Sequence, residues 1–290
     1  MRACSSQPAP GETRVAGTTR THARFTWIDW ALLAAIVGLS IQLVVMLREP
    51  LMDAWRNRPR PGMQVSQQYL VEQRDGGDAA TIPINCLLYL PPGYDAHRKW
   101  PLVVFLHGRG ACGDDLNLVR RGGLPREIER GKKFDFIILS PQCPKNYWWY
   151  PETVVGLTEQ ISSSLSVDRD RVYLTGFSMG GNGTWAAACY DPHRFAAIAP
   201  LAGQGDAEQA DKLKMPVWVF HGAKDRTIPL ADSQTMVDAI RKCRGTVQFT
   251  IYPDQGHGIA EVTYQNPKFL EWLLSQRRTM PRPANPSICD

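Results

Sequence analysis

The sequence predicts a mostly parallel, doubly wound α/β sheet of about eight strands with helices on both faces. Residues 101–106, 134–140, 195–201 and 217–221 are short, largely apolar runs, the second interrupted by Asp135, the pattern of strands buried on both faces of a parallel sheet. Helical stretches over 152–166, 182–190 and 231–243 alternate with them, as crossover connections require. The chain is 290 residues long with 43% hydrophobic and 21% charged residues, enough to bury a sizeable core.

In chain order, residues 1–26 are rich in Ala, Thr, Pro, Gly and Arg without apolar periodicity, and are expected to be disordered. Trp30 to Leu47 is a run of 18 uncharged residues, spanning about 27 Å at the helical rise. Trp27 and Trp30 stand at one end and Arg24 and Arg48 flank the run, so a single-pass transmembrane helix is expected over 27–47, with the membrane as its partner. A polar linker stiffened by Pro59 and Pro61 occupies 48–63. The folded domain is expected over 64–276. It opens with two antiparallel strands, 64–71 and 82–90, joined by the turn Asp75-Gly76-Gly77-Asp78. A strand over 171–175, another over 246–252 and a last helix over 267–275 complete it, and the proline-bearing tail 277–290 is expected to be disordered.

The formal charge of +5 is concentrated in the flanks and not along an aromatic-lined groove, which argues against a nucleic-acid partner. Seven cysteines are scattered without a C-x-x-C pair, and the six histidines show no H-x-H or H-x-x-x-H spacing, so no metal site is expected.

The chemistry centres on Gly176-Phe177-Ser178-Met179-Gly180. An apolar strand feeds this Gly-x-Ser-x-Gly pentapeptide, and an alanine-rich helical run leaves it. A serine at the apex of so sharp a strand–turn–helix brings strand and helix together, and side chains at 176 and 180 would collide. In an open parallel sheet, functional groups gather in loops at the carboxyl ends of strands, where the partners of Ser178 should lie. Asp225 follows the strand ending near His221, and His257 follows the strand ending at Tyr252. Ser178 is thus the candidate nucleophile, His257 the general base and then acid, and Asp225 the orienting carboxylate, with Asp254 as its rival. The backbone NH groups of Met179 and of Arg109, in the loop His107-Gly108-Arg109-Gly110, are the candidate oxyanion donors. Asp114 and Asp115 are expected to fix that loop. His107 and His221 stand at strand ends, as packing or loop-fixing residues. Trp148 and Trp149 are candidates for a pocket wall, with core packing as the alternative.

Tyr89-Leu90-Pro91-Pro92-Gly93-Tyr94, the 105–110 loop with Gly113-Asp114-Asp115, Ser140-Pro141-Gln142-Cys143-Pro144, Asp170-Arg171-Val172-Tyr173, the serine pentapeptide and His221-Gly222-Ala223-Lys224-Asp225 together resemble the bacterial α/β-hydrolases grouped as predicted peptidases. These are related to phospholipase/carboxylesterase, dienelactone hydrolase and polyhydroxybutyrate depolymerase-like esterases. The resemblance covers about residues 64–275 and implies an α/β-hydrolase fold with a serine-hydrolase triad at the three positions named. Two departures stand out: Ala111 replaces the usual Glu of the oxyanion loop, and Gly258-Ile259-Ala260 replaces the acidic and aromatic residues that follow the base. The expected activity is cofactor-free hydrolysis of a small-molecule or polymer-linked carboxylic ester. A prolyl-oligopeptidase-like peptidase and a non-catalytic hydrolase scaffold are the alternatives.

Overall fold

The computed structural model describes residues 26–56, 58–75 and 78–279. It divides into two units between Ala54 and Trp55. The N-terminal unit is dominated by one helix, α1 (Trp27–Arg56). The second unit holds all eight strands: β1 (Gln64–Asp75), β2 (Asp78–Tyr89), β3 (Trp100–Leu106), β4 (Ile137–Pro141), β5 (Val167–Phe177), β6 (Ala197–Leu201), β7 (Val217–Gly222) and β8 (Val247–Tyr252). Among the described residues, seven α-helices connect or follow them: α2 (Leu116–Arg120), α3 (Gly123–Glu129), α4 (Pro151–Ser164), α5 (Met179–Tyr190), α6 (Leu230–Lys242), α7 (Ala260–Gln265) and α8 (Pro267–Ser275).

The strands form one sheet in the order β1-β2-β4-β3-β5-β6-β7-β8. β1 pairs antiparallel with β2, and β2 antiparallel with β4. The remaining neighbours are parallel. This is an α/β-hydrolase-like sheet. Every residue of β3, β4 and β6 is buried, as their unbroken apolar sequences demand. Successive side chains of a strand point to opposite faces. On β3, Leu102, Val104 and Leu106 enter the core beneath α4, α5 and α6, together with Leu157, Trp185 and Met236. Val103 and Phe105 enter the opposite core with Leu124 of α3, Tyr264 of α7 and Phe269 of α8. Burial on both faces fixes the register of the central strands, and with it the height at which each following loop begins.

The expectation of a transmembrane anchor is overturned. The apolar run does form a helix, but among the described residues no helix is long and apolar enough to cross a membrane. The uncharged stretch is closed in by Asp29 and Arg48, which leaves 18 residues, the short end of the range of about 17 to 25 for a spanning helix. The membrane partner inferred from that helix falls with it.

Other boundaries shift for identifiable reasons. Residues 134–136, Phe-Asp-Phe, precede β4. Phe134 instead exchanges hydrogen bonds with the Tyr89 hydroxyl, donating its backbone NH at 3.0 Å and accepting at 3.3 Å. β5 starts at Val167, four residues before the expected strand, because Val167 pairs with Trp100 across a register shift in β3. Part of the expected linker is tied to the sheet: the Gly62 NH donates to Leu90 O at 2.8 Å, and Lys133 Nζ donates to Gly62 O at 2.8 Å. At the other end, the Arg278 guanidinium donates to Asp170 Oδ1 at 2.6 Å and to His193 O at 3.3 Å, so the first residues of the expected tail are anchored. The expectations for residues 1–25 and 280–290, and for Gly76-Gly77 in the hairpin turn, lie outside the described residues.

Candidate active site

The site is built where β5 ends. Ser178 stands between the strand and α5 with φ 58° and ψ −119°, a left-handed strained conformation for a non-glycine residue. Two bonds hold it there: its NH donates to Leu201 O at 2.9 Å, and its carbonyl accepts from the Asn182 NH at 3.0 Å. The glycines on either side are obligatory. A Cβ at Gly176 would lie 2.3 Å from Gly180 O, and one at Gly180 would lie 2.0 Å from Leu106 O. Both obstacles are backbone, which has nowhere to move.

His257 reaches Ser178 from the loop after β8, and Asp225 reaches His257 from the loop after β7. His257 Nε2 is 2.8 Å from Ser178 Oγ, and Nδ1 is 2.7 Å from Asp225 Oδ2. A carboxylate only accepts, so Nδ1 carries the proton and the Nε2 lone pair faces the serine hydroxyl. The Asp225 side chain is fully buried. Its Oδ1 accepts from the NH groups of Thr227 at 2.8 Å and Ile228 at 3.0 Å. Burial opposes ionisation of this acid, but the hydrogen bonds from His257, Ile228 and Thr227 outweigh it and hold the carboxyl below the usual range. The rival, Asp254, lies in solvent and pairs with Lys224 Nζ at 2.8 Å.

Sequence reasoning gave His221 a packing or loop-fixing role without naming the loop, and did not single out Ser233. His221 is fully buried at the end of β7, with Nε2 3.0 Å from Ile228 O and 3.3 Å from Asp225 Oδ2, and Nδ1 2.8 Å from Ser233 Oγ. Its ring therefore closes the loop that carries Asp225. The available signal was its position as the last apolar-flanked residue of a buried strand, where a polar side chain needs partners.

The loop after β3 is built in the same way. Leu106 leads into Gly108, whose Cβ position lies 3.4 Å from Ser178 Cβ, and the chain then enters a single 3-10 turn over Arg109–Ala111. His107 is buried beneath it. Its Nδ1–H donates to Gly108 O at 2.7 Å, and its Nε2 accepts from the Cys143 NH at 3.0 Å. Burial pushes this imidazole down to about 4, with the Gly108 bond opposing the shift, so it stays neutral. The Gln142 amide donates to Ala111 O and Asp115 O, both at 2.9 Å. Asp115 caps α2 by accepting from the Asn117 NH at 2.9 Å, whereas Asp114 is exposed. The loop is thus clamped chiefly by His107 and Gln142. Met179, the other expected oxyanion donor, is the first residue of α5, where helix NH groups have no intrahelical partner.

The two tryptophans separate. Trp149 is buried, donates its indole NH to His107 O at 3.0 Å and packs edge-on against the His107 ring. It supports the loop from below. Trp148 is half exposed, with the Arg109 guanidinium 4.6 Å above its ring. An apolar cavity of about 220 Å³ adjoins the site between the oxyanion loop, α2 and Phe177. A larger hollow of about 620 Å³ lies between β1 and α4 and is lined by none of the groups around Ser178.

The family model described as Dienelactone hydrolase family matches residues 155–268. A protein of Salmonella typhimurium, provisionally named carboxymethylenebutenolidase, is 33% identical over 31% of this chain and 37% of its own length. Feruloyl esterase C of Emericella nidulans is 27% identical over 52% of this chain and 58% of its own. The chain therefore spans about a third to three fifths of the length of these curated relatives. Among solved structures, a thermostable esterase is 32% identical with a TM-score of 0.62, covering 73% of this chain and 63% of that one.

Proposed function

We propose that this chain, which carries a dienelactone hydrolase family domain over residues 155–268, hydrolyses carboxylic esters through Ser178, His257 and Asp225. The observation that carries the reading is the unbroken relay of short contacts, 2.8 Å from Ser178 Oγ to His257 Nε2 and 2.7 Å from His257 Nδ1 to Asp225 Oδ2. A neutral imidazole with its lone pair on the hydroxyl can take the serine proton as Oγ attacks the ester carbonyl. Asp225 holds that tautomer and stabilises the imidazolium that forms. The oxyanion of the tetrahedral intermediate is received by the NH groups of Met179 and Arg109, each worth about 3 to 4 kcal/mol when a comparable donor is removed. His257 then returns its proton to the departing alkoxide. It next activates a water that cleaves the acyl-enzyme, and the free acid leaves Ser178 as it began.

Support comes from three directions: the strained serine between its obligatory glycines, the buried acid held ionised, and the esterase named among the relatives of comparable fold. Ser178→Ala should lower hydrolysis of short p-nitrophenyl esters by at least about 10³-fold, and should abolish labelling by a fluorophosphonate probe. Retained hydrolysis in that variant, or labelling at another residue, sinks the assignment.

A further inference from the structure

The cavity of about 220 Å³ beside the oxyanion loop has walls of carbon and no assigned occupant. Phe105, Leu118, Val119, Phe177 and Ala260 surround it, with Gly122 on its rim. Its back wall is rigid. Phe105 is trapped between Tyr264, which meets it edge-on at 5.4 Å, and Gly123, where a Cβ would come within 2.2 Å of the ring. It lies next to the proposed reaction centre: Gly108 and Gly110 of the loop after β3 line it, and Phe177 both lines it and packs against the His257 ring at 5.0 Å.

We propose that this cavity is the acyl subsite, and that it admits one small apolar group, a single aromatic ring or a short alkyl chain. The proposal rests on the ester-hydrolase reading above and deepens it. The side follows from the chemistry. The leaving oxygen must face His257 Nε2 to be protonated, and the carbonyl oxygen must face the NH groups of Met179 and Arg109. The third substituent of the carbonyl carbon is the acyl chain, and it is directed along the wall made by the oxyanion loop itself. The size follows from the volume, since a dry cavity of about 150 Å³ holds a benzene molecule. A cavity of about 220 Å³ takes a ring with one or two further carbons and excludes a long fatty chain.

Gly122 offers a means of testing this without strain. Its backbone is extended, at φ −133° and ψ 157°, and a Cβ there would meet nothing within 4 Å. A larger side chain would therefore project into open space at the rim. Leu118→Ala would widen the same cavity.

The experiment measures kcat/KM for two series on the full chain: p-nitrophenyl acetate, butyrate, hexanoate and benzoate, which vary the acyl group, and ethyl, butyl and phenyl acetates, which vary the alcohol. In Gly122→Leu the butyrate-to-acetate and benzoate-to-acetate ratios should fall about tenfold or more, the scale of discrimination set by a few carbons in an apolar pocket. In Leu118→Ala the hexanoate-to-acetate ratio should rise. Ratios, unlike absolute rates, do not move when a variant is merely less stable. Unchanged acyl ratios in both variants overturn the subsite while leaving the ester-hydrolase reading intact. A shift confined to the alcohol series also overturns it, by placing the leaving group in the cavity. Absence of hydrolysis of every ester by the unmodified chain overturns both.

Discussion

Replacing Asp225 by Asn tests the electrostatic core of the site with almost no change in shape. Three donors converge on this buried carboxylate: the NH groups of Thr227 and Ile228 on Oδ1, and His257 Nδ1 at 2.7 Å on Oδ2, while His221 Nε2, bonded to Ile228 O, lies 3.3 Å from Oδ2. An amide offers one accepting atom and one donating group. If the oxygen keeps Thr227 and Ile228, the NH2 group faces His257 and forces the imidazole to accept at Nδ1. The proton then sits on Nε2, aimed at Ser178 Oγ, and the base is lost. The comparable change in a well-studied serine protease lowers kcat by about 10⁴-fold, equivalent to about 5 kcal/mol of transition-state stabilisation at roughly 1.4 kcal/mol per decade. Steady-state kinetics on p-nitrophenyl acetate should show that loss in kcat with KM little changed, because no group in contact with the ester has moved. A kcat within tenfold of the unmodified chain would refute the tautomer argument. A matching loss in Asp254→Asn, whose carboxylate lies in solvent beside Lys224, would refute the choice of acid.

Two further outcomes follow from the same geometry. The unfolded chain protonates His107 near 6.5 and the folded chain only near 4, so between those values the unfolded state binds more protons and stability falls as pH is lowered, by at most about 1.4 kcal/mol per unit. Urea midpoints measured at pH 7, 5.5 and 4.5 should therefore drop less steeply in His107→Gln than in the unmodified chain, and parallel curves would remove His107 as a source of acid lability. Gly180→Ala drives a methyl against Leu106 O and should cost about 1 to 3 kcal/mol or more, whereas Gly93→Ala, with open space around its Cβ position, should stay within about 0.5 kcal/mol. Equal denaturation midpoints for the two would contradict the claim that backbone contact makes position 180 obligatory.

The positions of Ser178, Asp225 and His257 were legible because each is marked by strand ends, and strand ends are marked by apolar runs. Three loops launched from neighbouring parallel strands must meet, whatever lies between them in sequence. The short helices α2, α3 and α7 were not legible, since five to seven residues carry too little periodicity to be told from a loop. The cavity they wall was hidden for the same reason. Trp148 and Trp149 show a different limit: adjacent in sequence, one supports His107 from the core and the other stands half in solvent, a distinction set by Trp149's indole NH finding a carbonyl. The uncharged run from Trp30 to Leu47 misled because hydropathy identifies a helix more surely than it identifies the medium that helix occupies.

The order in which the three groups occur along the chain also bears on its synthesis. Ser178 and the strand that strains it are made 79 residues before His257. Parallel pairing of β7 with β8, which carries the imidazole to the buried acid, cannot begin until α6 and β8 exist. A nascent chain that has already closed its turn around Ser178 therefore holds a hydroxyl with no base. On the proposed mechanism, the Ser178 hydroxyl gains its base only when the last strand docks.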